Sequence, residues 1–115
     1  MVDCLFCKLV AGEIPARIVK RSDDAVAFHD IDAKAPVHVL VIPTTHVPAV
    51  RDAEGREGEV MLGKLLHFAA EVAADLGLDT GGYRIVTNTG PDAGQSVDHL
   101  HFHVLGGRRM TWPPG

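Results

Sequence analysis

The sequence predicts an α+β fold in which an antiparallel sheet packs against one long helix and a short N-terminal helix. Three observations carry this. Residues 58–76 place Met61, Leu62, Leu65, Leu66, Ala69, Val72, Ala73 and Leu76 at helical spacing, with Gly77 behind them, the pattern of an amphipathic helix ended by a glycine. Short segments with strand character lie on both sides of it, joined by hairpin-scale connections that favour an antiparallel layer over a parallel sheet. Near the C-terminus His99, His101 and His103 alternate with Leu100, Phe102 and Val104, the period-two pattern of a strand with one polar and one apolar face.

In chain order, residues 4–11 read as a short helix closed by Gly12, a common helix-ending residue. Arg17–Arg21 and Ala25–His29 read as two strands around the turn Ser22-Asp23-Asp24. Val37–Ile42, a β-branched run interrupted by His38 and stopped by Pro43, is a third strand. Tyr83–Thr87 and Val97–Leu105 supply two more. No internal repeat, low-complexity segment or linker divides the 115 residues, so one domain spanning 1–115 is expected, with a modest core.

Composition narrows the function classes. A formal net charge of -4 with no basic stripe argues against a chain that coats nucleic acid. It leaves room for a small phosphorylated ligand held by local groups. No run of about 18 apolar residues exists, so no membrane span is expected. Met1-Val2-Asp3-Cys4 lacks a charged leader followed by an apolar stretch, which makes the cytoplasm the default compartment. Cys4 and Cys7, spaced C-x-x-C in a reducing compartment, suggest metal or redox use more than a structural disulfide.

On an extended strand the three imidazoles would stand about 6.6 Å apart along one face, with Leu100, Phe102 and Val104 turned to the core. Imidazole titrates near neutrality and serves as nucleophile, proton shuttle or metal ligand. The segment from Asn88 to Ser96 (Asn-Thr-Gly-Pro-Asp-Ala-Gly-Gln-Ser) leads straight into this strand. Glycines let backbone N–H groups converge on an anion, and Asn88, Gln95 and Ser96 add neutral donors. Taken alone the loop reads as a plain turn; beside three histidines it reads as a phosphate cradle.

Phe28-His-Asp-Ile31, Ala35-Pro-Val-His38, Val41-Ile-Pro43, Gly94-Gln-Ser96, His99-Leu-His-Phe-His103 and the tail Leu105 to Gly115, ending Trp-Pro-Pro-Gly, together resemble the histidine triad (HIT) superfamily over nearly the whole chain. The tail narrows the resemblance to the Hint branch of nucleoside phosphoramidases. The resemblance implies a homodimer whose subunits join their sheets, and an AMP-type purine nucleotide as substrate. It implies that His101 attacks the α-phosphorus of an adenosine phosphoramidate or acyl-adenylate, in two steps where one would be harder. His103 and His38 then match positions that contact phosphate oxygens and move protons. Asn88, Gly94, Gln95 and Ser96 match phosphate and leaving-group contacts, and Asp30 matches a ribose-hydroxyl ligand. Leu5, Phe6, Leu9, Phe28 and Ile31 match the apolar slot for the purine. As plain packing, Phe6, Leu9, Phe28 and Ile31 are core. Trp112 matches a tail residue near the partner's site in Hint relatives, or is simply an anchor at a frayed end.

At its front the chain departs from the vertebrate Hint pattern. Cys4, Cys7, His46 and His99 resemble the structural zinc set of microbial histidine triad proteins, a closed set of four N/S ligands. Two reduced thiols or a redox pair are the competing readings. Asp98 stands where the family more often has an aromatic residue. His29 and His67 carry no expected chemistry, and Arg108 and Arg109 read as solvated or packed at a subunit contact. Two other functions compete: a zinc hydrolase with the triad as metal ligands, and a non-enzymatic nucleotide-binding or scaffold protein. A third histidine at 103 favours hydrolysis over nucleotidyl transfer.

Overall fold

The computed structural model describes residues 4–115; the expectation of no secretory leader falls mostly on Met1, Val2 and Asp3, which lie outside the described residues. The elements run α1 (Leu5–Val10), β1 (Ile18–Arg21), β2 (Ala25–His29), β3 (Val37–Pro43), a 3₁₀ turn (Val50–Asp52), α2 (Gly55–Asp75), β4 (Tyr83–Val86) and β5 (Phe102–Gly106). The strands form one sheet in the order β1-β2-β3-β5-β4, and every neighbouring pair is antiparallel. Among the described residues no helix is long and apolar enough to cross a membrane.

The two helices cover opposite faces of the sheet. Leu65, Phe68, Ala69, Val72 and Ala73 of α2 pack on Ala25 and Ala27 of β2, Val39 and Val41 of β3, and Phe102 and Val104 of β5. On the other face, Cys4, Phe6 and Leu9 close over Val26, Phe28, Leu40 and Ile42. The central strand β3 is therefore buried along almost its whole length, and reads in sequence as an apolar run broken by His38. Apolar burial of this kind is the main favourable term in folding.

α2 begins one turn ahead of its apolar periodicity, because Gly55, Arg56 and Glu57 are exposed and carry no hydrophobic signal. The acidic Glu57 in that turn suits the positive end of the helix dipole. Gly58 faces the preceding chain so closely that a Cβ there would lie 2.3 Å from the Ala53 carbonyl carbon.

One strand expectation is corrected. Val97–Leu105 does not run as a single strand: the ladder begins at Phe102. Upstream, the Leu100 N–H bonds to the Val47 carbonyl at 2.6 Å, and the imidazoles of His99 and His101 bond to backbone carbonyls. These contacts hold the segment off the sheet ladder. The alternation of faces survives: Leu100, Phe102 and Val104 enter the α2 core, while the histidines face α1.

Candidate active site and metal centre

The histidine face is covered rather than open. Phe6 of α1 stacks edge-on against both His99 and His101, with ring centroids 5.9 and 5.3 Å away, and His99 is 0% and His101 4% exposed. Beyond Phe6 the face opens into a cavity of about 330 Å³ lined by His101, His103, Asp30, Ser96, Phe6, Leu9, Phe28, Leu5 and Ile31.

Hydrogen bonds assign the protons. His101 Nδ1 lies 2.8 Å from the His99 carbonyl. A carbonyl only accepts, so Nδ1 carries the proton and Nε2 keeps its lone pair. The Lys34 N–H donates to His38 Nδ1 at 2.9 Å, which puts the His38 proton on Nε2. That proton faces His103 Nδ1 at 2.8 Å and Asp30 Oδ2 at 3.3 Å. His103 therefore accepts at Nδ1 and bears its own proton on Nε2. Burial, then repulsion from His101 and His38, pulls the His103 pKa down to about 4. Burial also lowers His38, partly offset by the Asp30 carboxylate. The His38–His103 pair is thus neutral in the ligand-free protein near pH 7.

The apolar wall divides by exposure. Phe6, Leu9 and Phe28 are buried and belong to the α1-side core as well as to the cavity. Leu5 is 52% and Ile31 fully exposed, an apolar pair at the mouth of the slot. Ile14, Pro15, Ala16, Arg17, His29, Leu40 and Val97 line the same cavity and were not expected there. Ile14 to Ala16 read as a connection, Arg17 as the first residue of a strand that in fact starts at Ile18, and His29 as strand surface. A signal for them existed in the apolar Ile14-Pro15-Ala16 between two elements, where a solvated loop would be polar.

The glycine loop differs from its expected design. Gly90 N–H donates to the Gln95 side-chain oxygen, Gly94 N–H to the Pro91 carbonyl and Gln95 N–H to the Gly90 carbonyl. Those amides close the loop on itself and do not converge on an anion. Gln95 Nε2 also donates to the carbonyls of Pro48 and Val97, so its side chain ties the loop down. Ser96 reaches the cavity, while Asn88, Gly94 and Gln95 do not line it. The Thr87 hydroxyl donates to the His101 carbonyl at 2.8 Å, which brings the neighbouring Asn88 close to the histidine segment. Trp112 stands outside the cavity, 81% exposed, and Asp98 is exposed.

Behind Phe6, Cys4, Cys7, His46 and His99 bring their ligand atoms within 4.8 Å of one another. Cys4 caps α1, its sulfur accepting the Cys7 N–H, so cap and first turn present both sulfurs at one end. Cys4 Sγ to His99 Nδ1 is 3.4 Å, Cys7 Sγ to His46 Nδ1 3.3 Å and His46 Nδ1 to His99 Nδ1 3.2 Å. The edges of a tetrahedral zinc site with these ligands are about 3.3–3.8 Å, so the donor set fits that ion. His99 Nε2 donates to the Pro43 carbonyl at 3.0 Å, leaving Nδ1 as the ligating nitrogen, as an outer-shell bond does in metal sites. Burial and the adjacent Cys4 raise the Cys7 thiol pKa, a barrier to ionisation that a cation removes.

Asp30, His38 and His103 also bring possible ligand atoms together, but His38 has its proton on the nitrogen that would have to bind. Neither this group nor the Cys/His set includes His101.

A model of the HIT domain matches residues 11–110. An uncharacterized HIT-like protein of Synechocystis sp. is 49% identical over 113 residues, covering 98% of this chain and 97% of its own. A 14 kDa zinc-binding protein of Brassica juncea is 45% identical, over 98% and 100% of the two chains. The crystal structure of a HIT family hydrolase from Legionella pneumophila superposes with a TM-score of 0.94 at 44% identity, over 98% of this chain and 100% of that one. The chain belongs to the HIT domain family. Its fold is that of a HIT family hydrolase.

Proposed function

We propose that the protein is a nucleotide hydrolase that cleaves the P–N or acyl-phosphate bond of adenosine 5′-phosphoramidates or aminoacyl-adenylates, with His101 as nucleophile. The observation that carries this reading is the His101 Nδ1–H bond to the His99 carbonyl. It leaves Nε2 as a neutral lone-pair nitrogen on a ring that lines the cavity. In the first step Nε2 bonds to phosphorus as the P–N bond breaks, and the leaving amine departs with a proton drawn from the His38–His103 pair. Water then attacks phosphorus, AMP leaves, the His101 lone pair is restored, and the water's proton returns to the pair. Acid–base assistance of this kind is worth roughly 10²–10⁴-fold.

The slot supports a purine nucleotide. Exposed Leu5 and Ile31 flank buried Phe6 and Phe28, an apolar opening suited to a flat base, and the Asp30 carboxylate lies between that opening and the histidines as an acceptor for ribose hydroxyls. Asn88 and Ser96 provide neutral donors for the phosphate, with Gly94 and Gln95 shaping their loop. Cys4, Cys7, His46 and His99 would hold a structural zinc that ties α1 to the segment before β5, supplying rigidity rather than a bound nucleophile. The reading includes a homodimer formed at the β4 sheet edge, which among the described residues pairs only with β5, and places Trp112 near the second copy's site. The compartment is the cytoplasm.

Rapid quench with labelled adenosine phosphoramidate tests the central step: mass spectrometry is expected to find AMP attached to His101. AMP release that persists in His101→Ala would overturn it.

A further inference from the structure

Asp30 Oδ1 accepts the Asp32 N–H at 2.8 Å, which pins the carboxylate, while Oδ2 lies 3.3 Å from His38 Nε2. That nitrogen bears the only proton His38 can hold without conflict, because Nδ1 already accepts from Lys34. The proton thus has two acceptors within reach, His103 Nδ1 and Asp30 Oδ2. Which one it takes decides the chemistry of His103. While His38 donates to His103 Nδ1, His103 cannot take a second proton, since two N–H groups would then face each other across 2.8 Å. If the His38 proton turns to Asp30, His103 Nδ1 is freed and the ring can become a cation beside the substrate.

We propose that Asp30 is a positioning residue for proton transfer: by accepting His38 Nε2–H it lets His103 hold the proton that the leaving group needs. This rests on the phosphoramidase reading and adds to Asp30 a task separate from binding ribose. A proton from solvent loads His103 Nδ1 while the His38 N–H turns to Asp30. His103 Nε2 gives its proton to the leaving nitrogen as the P–N bond breaks. In the second step the attacking water returns a proton to Nε2, and the Nδ1 proton goes back to solvent as the His38 N–H turns to His103 again. The groups facing the pair are Asp30 and Asp32, which favour an added proton, and Lys34 and His101, which oppose it.

Asp30→Asn retains an oxygen for the Asp32 N–H and removes the charge. Two substrates separate the roles: an adenosine 5′-phosphate alkylamide, whose amine cannot leave unprotonated, and the p-nitrophenyl ester of AMP, whose phenolate needs no proton. The variant's loss in kcat is expected to be roughly tenfold or more greater on the alkylamide than on the ester. Any change in ribose binding falls on both alike. Equal losses on the two substrates, or none, would overturn the proposal. A second measurement needs no turnover. In ligand-free protein, ring-nitrogen NMR is expected to show the His38 titration moving to lower pH in Asp30→Asn, with His67 on α2 unmoved. A His38 signal that stays put overturns the proposal even if the phosphoramidase reading stands. If the native protein cleaves neither substrate, that reading fails instead, and the NMR result still decides whether Asp30 holds the His38 proton.

Discussion

His99 and His101 are two residues apart, share Phe6 as a neighbour and each give one ring proton to a backbone carbonyl, yet the nitrogen left free is different. At His99 the donor is Nε2, so the lone pair on Nδ1 turns toward Cys4, Cys7 and His46. At His101 the donor is Nδ1, so the lone pair is on Nε2, on a ring that lines the cavity. Backbone carbonyls thus turn one lone pair of the repeating motif to the Cys/His cluster and leave the next on the cavity side, as the proposed roles of ligand and nucleophile require. Simple repetition of histidine on a strand would not separate these tasks, because each neutral imidazole could hold its proton on either nitrogen.

The sharpest break of this comparison exchanges the consequences of losing each ring. His101→Ala is expected to lower kcat at least about 10³-fold with little change in thermal stability or metal content. His99→Ala or Cys7→Ser is expected to do the reverse: loss of one bound zinc per chain by metal analysis, and a fall in Tm of roughly 10 °C or more, in line with metal binding that contributes to folding. Chelation should follow the same rule, with turnover per folded molecule retained. A chelator that abolishes AMP release while circular dichroism shows an intact fold would erase the division and return the metal to catalysis.

Acid provides the next test, because the two clusters respond through different groups. Native His103 is held at about 4, whereas an unfolded histidine takes its proton near 6.5. Between those values the unfolded chain binds a proton that the native protein refuses, so stability is full above about pH 6.5 and falls as the pH drops toward 4. His38, also lowered by burial, acts in the same direction. Between pH 6.5 and 5 the His103 part is about 2 kcal/mol. Urea unfolding at both pH values should show that part missing in His103→Asn, while acid release of metal affects both proteins equally. An identical slope in the variant would mean that the loss comes from the metal cluster alone.

Much of this organisation was legible in the chain. The α2 periodicity, the strands around Ser22–Asp24 and the inward set Leu100, Phe102 and Val104 follow from spacing, because burial against one sheet face imposes a period that side chains record. The grouping of Cys4, Cys7, His46 and His99 was legible only through family resemblance, since C-x-x-C by itself suits several chemistries. Two things were not legible. The end of the ladder at Phe102 depends on the Leu100 N–H reaching Val47, a contact between distant segments that leaves no local pattern. The tautomers depend on which carbonyl each ring meets, which is decided by the backbone path and not by the identity of the neighbours.

Gln95 offers the mildest perturbation, at the seam between the clusters. Its Nε2 joins the Pro48 carbonyl, two residues beyond the proposed ligand His46, to the Val97 carbonyl, whose residue lines the cavity, and its Oε1 holds the Gly90 N–H. Gln95→Ala removes three half-exposed hydrogen bonds, for which a loss of about 1–2 kcal/mol is expected by urea unfolding. If the side chain only shapes the loop, KM should rise severalfold with kcat and zinc content unchanged. Gln95→Glu keeps the acceptor for Gly90 but sets a negative charge against two carbonyls, so its stability should fall at least as far as that of the alanine variant. A kcat loss in Gln95→Ala comparable to that of His101→Ala would instead place the amide on the phosphate, and the loop would have to open from its self-bonded form when substrate arrives.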